Sequence, residues 1–167
     1  MAFYYFDASA LVKHYILEPG STWVRKLVNT ADAQSQQPSH VVFMADVSVA
    51  EVAAAFAILN RTRRIGRSAW DGVFDKFMDD VEARYQLVHA GHDDFFAAAE
   101  LTRHHPLKAY DAVQLAVALR HSRALARQQL SLTFVTGDNA LLTAAQAESL
   151  LTDNPFDHVA PQDTPGP

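Results

Sequence analysis

Four carboxylates stand where chemistry is easiest to build, at the junctions between apolar runs and helical patterns. Asp7 follows Phe3–Phe6, and Asp138 follows the run from Leu132 to Gly137. Glu51 lies in Asp46-Val47-Ser48-Val49-Ala50-Glu51-Val52, and Asp111 in Leu107-Lys108-Ala109-Tyr110-Asp111-Ala112-Val113-Gln114-Leu115-Ala116. Singly, each has an ordinary reading. Asp7 and Asp138 are good helix N-caps, worth about 1 kcal/mol. Ser48-x-x-Glu51 is written as a capping box, and Asp111 in a first turn suits the helix dipole. Jointly they mean more. If the four helices start along one edge of one sheet, the charges converge, and a pair about 4 Å apart repels by roughly 4 kcal/mol at an effective dielectric of about 20. Ser, Thr or Asn would cap as well without that repulsion. A bound divalent cation relieves it. All-oxygen carboxylate ligation suits Mg²⁺ or Mn²⁺, which keep several waters, bridge protein to substrate phosphate and activate bound water.

The elements that must position these acids read as an alternation. Phe3–Phe6, Val41–Ala45, Gln86–Ala90 and Leu132–Thr136 are short apolar or β-branched runs, the pattern of strands. Between them the spacing predicts helices over Ala8–Leu17, Thr22–Asn29, Val49–Asn60, Ser68–Tyr85, His92–His104, Lys108–Arg123 and Asp138–Ala147. The Ser68–Tyr85 segment carries one apolar stripe from Trp70, Val73, Phe74, Phe77, Met78, Val81 and Tyr85, which core packing explains. Trp23 belongs with the core on the same grounds. Residues 30–40 read as a polar loop, and the chain from Asn154 onward as a frayed, proline-rich, acidic tail. Strands alternating with long helices give an α/β fold with a mostly parallel sheet, its near-continuous apolar strands covered on both faces. Sites in such folds form beyond the carboxyl ends of strands. That is where Asp7 and Asp138 fall.

Composition bounds the function. With 167 residues, 49% hydrophobic and 20% charged, the chain matches one ordinary folded domain. The absence of cysteine excludes disulfides, thiolate metal sites and cysteine nucleophiles. No apolar run approaches the 18 or so residues of a membrane span, and Met1–Asp7 lacks the basic leader of a signal peptide, so the expectation is a cytoplasmic protein off the membrane. The net charge of −5 is uneven: all 14 Lys and Arg precede residue 131, while Asp138, Glu148, Asp153, Asp157 and Asp163 follow it without a basic partner. A polyanionic ligand therefore remains open, since a local basic patch decides such binding.

The same residues carry a family resemblance. Phe6-Asp7-Ala8-Ser9-Ala10-Leu11-Val12-Lys13, Ser48-Val49-Ala50-Glu51-Val52, Ala109-Tyr110-Asp111-Ala112-Val113-Gln114-Leu115-Ala116 and Phe134-Val135-Thr136-Gly137-Asp138-Asn139-Ala140-Leu141-Leu142 resemble PIN-domain proteins of the VapC toxin type, in order and with compatible spacing. Leu17-Glu18-Pro19-Gly20-Ser21 and Asn154-Pro155 are similar as well, so the resemblance runs from about residue 3 to residue 156. It implies a three-layer α/β/α fold over 1–156 with a central sheet of four to five strands, followed by a flexible tail over 157–167. It implies a Mg²⁺- or Mn²⁺-dependent endoribonuclease, the toxin of a type II toxin–antitoxin pair. Asp7, Glu51 and Asp111 would then hold the metal, Asp138 would be the fourth acid through a water, and Ser9 would support Asp7. A homodimer and a cognate antitoxin are the implied partners. Two departures stand out: Asn139 occupies a position where some relatives carry another acid or a basic residue, and the 30–40 loop is longer than expected.

An RNA substrate also needs cations. Arg61, Arg63, Arg64 and Arg67 crowd one predicted turn, while Arg103 and Lys108 flank Asp111 and are the better phosphate contacts. Arg120, Arg123 and Arg127 lie at the far end of the same helix. Lys13, one turn beyond Ser9, points at phosphate or at solvent. His104 and His105 diverge by about 100° on a helix, which suits surface or capping roles better than joint ligation. Two other classes compete with the nuclease. A catalytically silent PIN fold would bind protein or RNA without cleaving. An aspartyl-phosphate hydrolase would want a second Asp two residues after Asp7, where Ser9 stands instead.

Overall fold

In the computed structural model, which describes residues 1–31 and 39–163, each apolar run becomes a strand of one sheet. The strands are β1 (Ala2–Phe6), β2 (His40–Ala45), β3 (Gln86–Val88), β4 (Leu132–Val135) and β5 (Leu151–Asp153). They pair in the order β3-β2-β1-β4-β5, every pair parallel. The helices among the described residues are α1 (Ala8–Tyr15), α2 (Ser21–Asn29), α3 (Val47–Arg61), α4 (Arg67–Ala83), α5 (His92–His104), α6 (Ala109–Ala126) and α7 (Asn139–Ala147).

Side chains that alternate along a strand feed two separate cores, one on each face. Phe6, Met44 and Val135 point into a cluster with Leu11, Val24, Phe56 and Phe77 from α1–α4. Tyr5, Ala45 and Phe134 point the other way, into a cluster with Leu101, Leu115, Val117 and Leu141 from α5–α7. Those two cores make the three layers. Parallel pairing puts the carboxyl ends of all five strands on one edge, so α1, α3 and α7 begin there.

Three expectations change. The strand β5 was missed because it is three residues long and only one of them, Leu151, is strongly apolar. Thr136 N and Asp153 O bond across at 3.2 Å and extend its pairing with β4. The Asn154–Asp163 segment is no frayed tail. Asn154, Pro155 and Asp163 are buried, and two 3-10 turns, Pro155–His158 and Pro161–Asp163, fold it against α2. Asp163 supplies the reason: its carboxylate accepts from the N–H groups of Gly20 (3.1 Å) and Thr22 (2.8 Å), the free donors at the start of α2. Finally, the α4 stripe is only partly core. Phe77 and Val81 are buried, whereas Trp70, Val73, Phe74 and Met78 are half-buried. Trp23 is half-buried too, stacked on His158 with ring centroids 4.2 Å apart. The polar loop expected over 30–40 lies mostly outside the described residues.

Candidate functional site

Asp7 is the first residue beyond β1 and the N-cap of α1, and its carboxylate is held from three sides. Oδ1 accepts from Ala10 N at 2.9 Å and Ser9 Oγ at 2.8 Å, and Oδ2 accepts from Thr136 Oγ1 at 2.8 Å. Ser9 Oγ in turn accepts from Gly137 N at 2.8 Å, and Thr136 Oγ1 accepts from Asp138 N at 3.0 Å. The ends of β1 and β4 are thereby joined by hydroxyls. Asp138 caps α7 by accepting from Leu141 N at 2.9 Å. For Asp7 and Asp138, capping and a place at the site coexist.

Glu51 arrives by a route the capping-box expectation did not foresee. The N-cap of α3 is Asp46, not Ser48, which is fully buried inside the first turn. Ser48 Oγ and Glu51 Oε2 both accept from Gln114 Nε2, each at 2.6 Å, and Gln114 Oε1 accepts from Tyr5 OH at 2.9 Å. Gln114 is 1% exposed and sits one turn beyond Asp111 on α6. It bridges the Glu51 helix to the Asp111 helix.

The four acids sense one another in sequence. Burial pushes the Asp7 carboxyl up to about 6, and the nearby Glu51 charge adds to that rise against the pull of the Ala10, Thr136 and Ser9 donors. Burial also raises Glu51, the Gln114 amide opposing and the Asp111 charge reinforcing it. Asp111 is raised by burial and then by Asp138, with Lys108 acting the other way. Thr136 Oγ1 joins the Asp7 carboxylate to the backbone amide of Asp138, whose own carboxylate caps α7. Neighbouring carboxylates that raise one another favour a positive charge between them. All-oxygen donors braced by neutral hydrogen bonds fit Mg²⁺ or Mn²⁺. Among the described residues, no three acidic or histidine side chains form a ready cage. Mg²⁺ is commonly held by one or two carboxylates together with water and substrate phosphate, and paired carboxylates suit that mode.

The basic candidates divide. Lys108 is the exposed N-cap of α6 and lies close enough to Asp111 to lower its pKa. Arg103 is exposed at the end of α5 and paired with Glu100 at 3.1 Å. Arg61, Arg63 and Arg64 are exposed at the α3–α4 turn. Ten residues of helix separate Arg61 from Glu51, about 15 Å, so the structure does not bring that group to the acids. Arg120 is committed elsewhere, to Asp94 at 2.8 Å and to His89 O. Lys13 takes neither expected direction: its side chain is 3% exposed, paired with Glu18 at 2.9 Å and lying over the Phe156 ring. His105 bonds Glu148 at 2.9 Å, and His104 is exposed. Sequence reading missed Gln114, Thr136 and Tyr5. A lone polar residue in the apolar run Ala112–Leu119, and a Thr two positions before a strand-end Asp, were the available signals.

The PIN domain family model matches residues 4–146, a span that contains all four acids and the elements carrying them. The chain belongs to the PIN domain family. Members of this family are generally nucleases. No curated protein matches the chain closely enough to name a relative. The fold of this PIN domain is similar to that of FitAcB from Neisseria gonorrhoeae, at 16% identity and TM-score 0.61, covering 92% of this chain and 98% of that one. It is similar also to PAE2754 from Pyrobaculum aerophilum, at 16% identity and TM-score 0.57, covering 94% and 85%. A third likeness is to VapBC2 from Rickettsia felis bound to a DNA fragment from their promoter, at 13% identity and TM-score 0.55, covering 91% and 98%. No helix of the described PIN domain is long and apolar enough to cross a membrane.

Proposed function

We propose that this PIN domain is a Mg²⁺- or Mn²⁺-dependent endoribonuclease and the toxin of a toxin–antitoxin pair. The observation that supports the reading is the series Asp7–Glu51–Asp111–Asp138, in which the charge of each later acid raises the carboxyl before it. Asp7, Glu51 and Asp111 would hold the ion, with Asp138 as the fourth acid. When bound, such an ion supplies Lewis acidity and lowers the pKa of water. The remaining work falls to the chain. Ser9, Thr136 and the Ala10 amide fix the Asp7 carboxylate, so neither of its oxygens is free to swing. Gln114 fixes Glu51, and its own orientation is locked by Tyr5 and Ser48. Preorganised groups of this kind spare the reorganisation that would otherwise accompany the transition state. Lys108, exposed beside Asp111, is the cation best set to meet a substrate phosphate, and Arg103 at the end of α5 is a second.

An antitoxin partner is supported by the likeness to VapBC2 and to a toxin–antitoxin complex from Klebsiella pneumoniae, which matches at 13% identity and TM-score 0.53 over 93% of this chain. A homodimer is part of the same proposal. The test is cleavage of mixed structured RNAs on a gel, with Mg²⁺, Mn²⁺ or EDTA, by wild type and Asp111→Asn. Cleavage that requires metal and disappears in Asp111→Asn is expected. Equal cleavage by the variant would overturn the assignment of the site, and tight RNA binding by the protein with no cleavage under either metal would favour a silent binding module.

A further inference from the structure

Beside Asp138 opens a groove of about 330 Å³, bounded by Ser9, Lys13, Glu18, Gly137 and Phe156. Phe156 is 47% exposed, although the two residues before it, Asn154 and Pro155, are buried. Asn154 Oδ1 accepts from Phe156 N at 3.0 Å. Asp163 then ties the same strap to α2. One face of the ring is taken by Lys13 Nζ, 4.0 Å from its centroid. Its edge lies so close to Gly137 that an added Cβ would stand 3.1 Å from Phe156 Cε2. The exposed remainder of the ring lines the groove, with Lys13 over one of its faces and Asp138 among the other lining residues.

Charge indicates what such a groove accepts. Lys13 is neutralised by Glu18, and Asp138 adds a negative charge, so phosphate is disfavoured there. A flat, neutral, π-bearing group is favoured. A lone exposed apolar residue needs no special account, but a ring covered on one face by Lys13, close to Gly137 at its edge and open toward an acidic groove does. We propose that Phe156 is a stacking platform for one nucleobase of single-stranded RNA, next to the phosphodiester presented to the acidic residues. The inference rests on the nuclease reading for the strand's path, and it goes further by assigning a base-contacting subsite that the acids do not supply. Because every base has a π-face, the platform favours unpaired strand over duplex while tolerating sequence.

Fluorescence polarisation in EDTA tests it without turnover, using one labelled oligoribonucleotide of mixed sequence and a second with the same backbone but abasic riboses. Wild type is compared with Phe156→Ala, Phe156→Leu and Phe156→Trp. Loss of one stacked base corresponds to roughly 5- to 100-fold weaker binding. That loss is expected for Phe156→Ala and Phe156→Leu with the base-bearing strand only, the abasic strand binding all proteins alike. Phe156→Trp should retain affinity, and its added indole emission should be quenched by the base-bearing strand alone. Phe156→Leu keeps an apolar side chain, so it separates lost stacking from lost folding. Equal binding by wild type and Phe156→Leu, or the same loss on the abasic strand, would overturn the subsite. The nuclease reading fails separately. Metal-independent or absent cleavage by a wild type that still shows base-dependent binding through Phe156 would sink the reaction and support the subsite. A wild type that binds neither oligonucleotide in EDTA would overturn the subsite, whereas the nuclease reading stands or falls on cleavage with Mg²⁺ or Mn²⁺.

Discussion

Asp7 shows at the level of one residue how capping and function share a side chain. It caps α1, yet burial and the Glu51 charge hold its carboxyl up at about 6, where a solvated Asp would sit near 4. The consequence for stability has a definite sign. A carboxyl raised in the folded state binds its proton more tightly there than in the unfolded chain, so metal-free stability falls as pH rises from about 4 to about 7. Two pKa units correspond to about 3 kcal/mol at most. Melting in EDTA across that range should therefore show Asp7→Asn gaining stability relative to wild type as pH rises, with the variant the more stable at neutral pH. Parallel curves for the two proteins would mean that Asp7 is not strained. The sequence exposed Asp7, Glu51, Asp111 and Asp138 because acids at strand ends and helix starts are readable positions. It did not expose Gln114, whose importance comes from three partners 63, 66 and 109 residues away.

Elements carry the same lesson at longer range. The Asn154–Asp163 strap is rich in proline and poor in periodicity, the composition of a loose end, and one buried carboxylate reverses that expectation. Burial alone would raise the Asp163 carboxyl, but donors from Thr22, Ala160 and Gly20 hold it below the usual carboxylate range. A depressed carboxyl stabilises above that range and releases its hold as pH falls through the folded value. Gly20 makes the contact possible: it adopts φ 89°, and a Cβ there would lie 2.4 Å from Pro155 O. Asp163→Ala should leave the Gly20 and Thr22 amides without partners and cost about 1–3 kcal/mol in a urea melt. Proteolysis should then nick the strap near Phe156. An unchanged urea midpoint would mean that the strap contributes nothing to folding. The Ser48–Glu51 capping box failed for a related reason: Asp46, tied also to Ala90 N and to His89 at 2.7 Å, anchors α3 two residues earlier than local sequence suggests.

Across the whole molecule, a chain with net charge −5 gathers negative groups at its candidate site and keeps Lys108 exposed beside Asp111. The proposed homodimer is checked by sedimentation velocity, which should give about twice the 18.5 kDa chain mass. A single 18.5 kDa species at tens of micromolar would remove the dimer from the proposal. The sequence by itself determined the α/β class, because periodicity is local: apolar runs and 3.6-residue stripes report which stretches are strands and helices wherever they finally sit. It also marked the four acids, since strand-end and first-turn positions are local too. Tertiary structure decided what depends on distant partners. It alone produced the short edge strand β5, the burial of Asp163 and the Gln114 bridge. It also turned Lys13 from a presumed surface cation into the buried support of Phe156. Burial and hydrogen-bond partnership are properties of the assembled chain, and no window of sequence contains both members of such a pair.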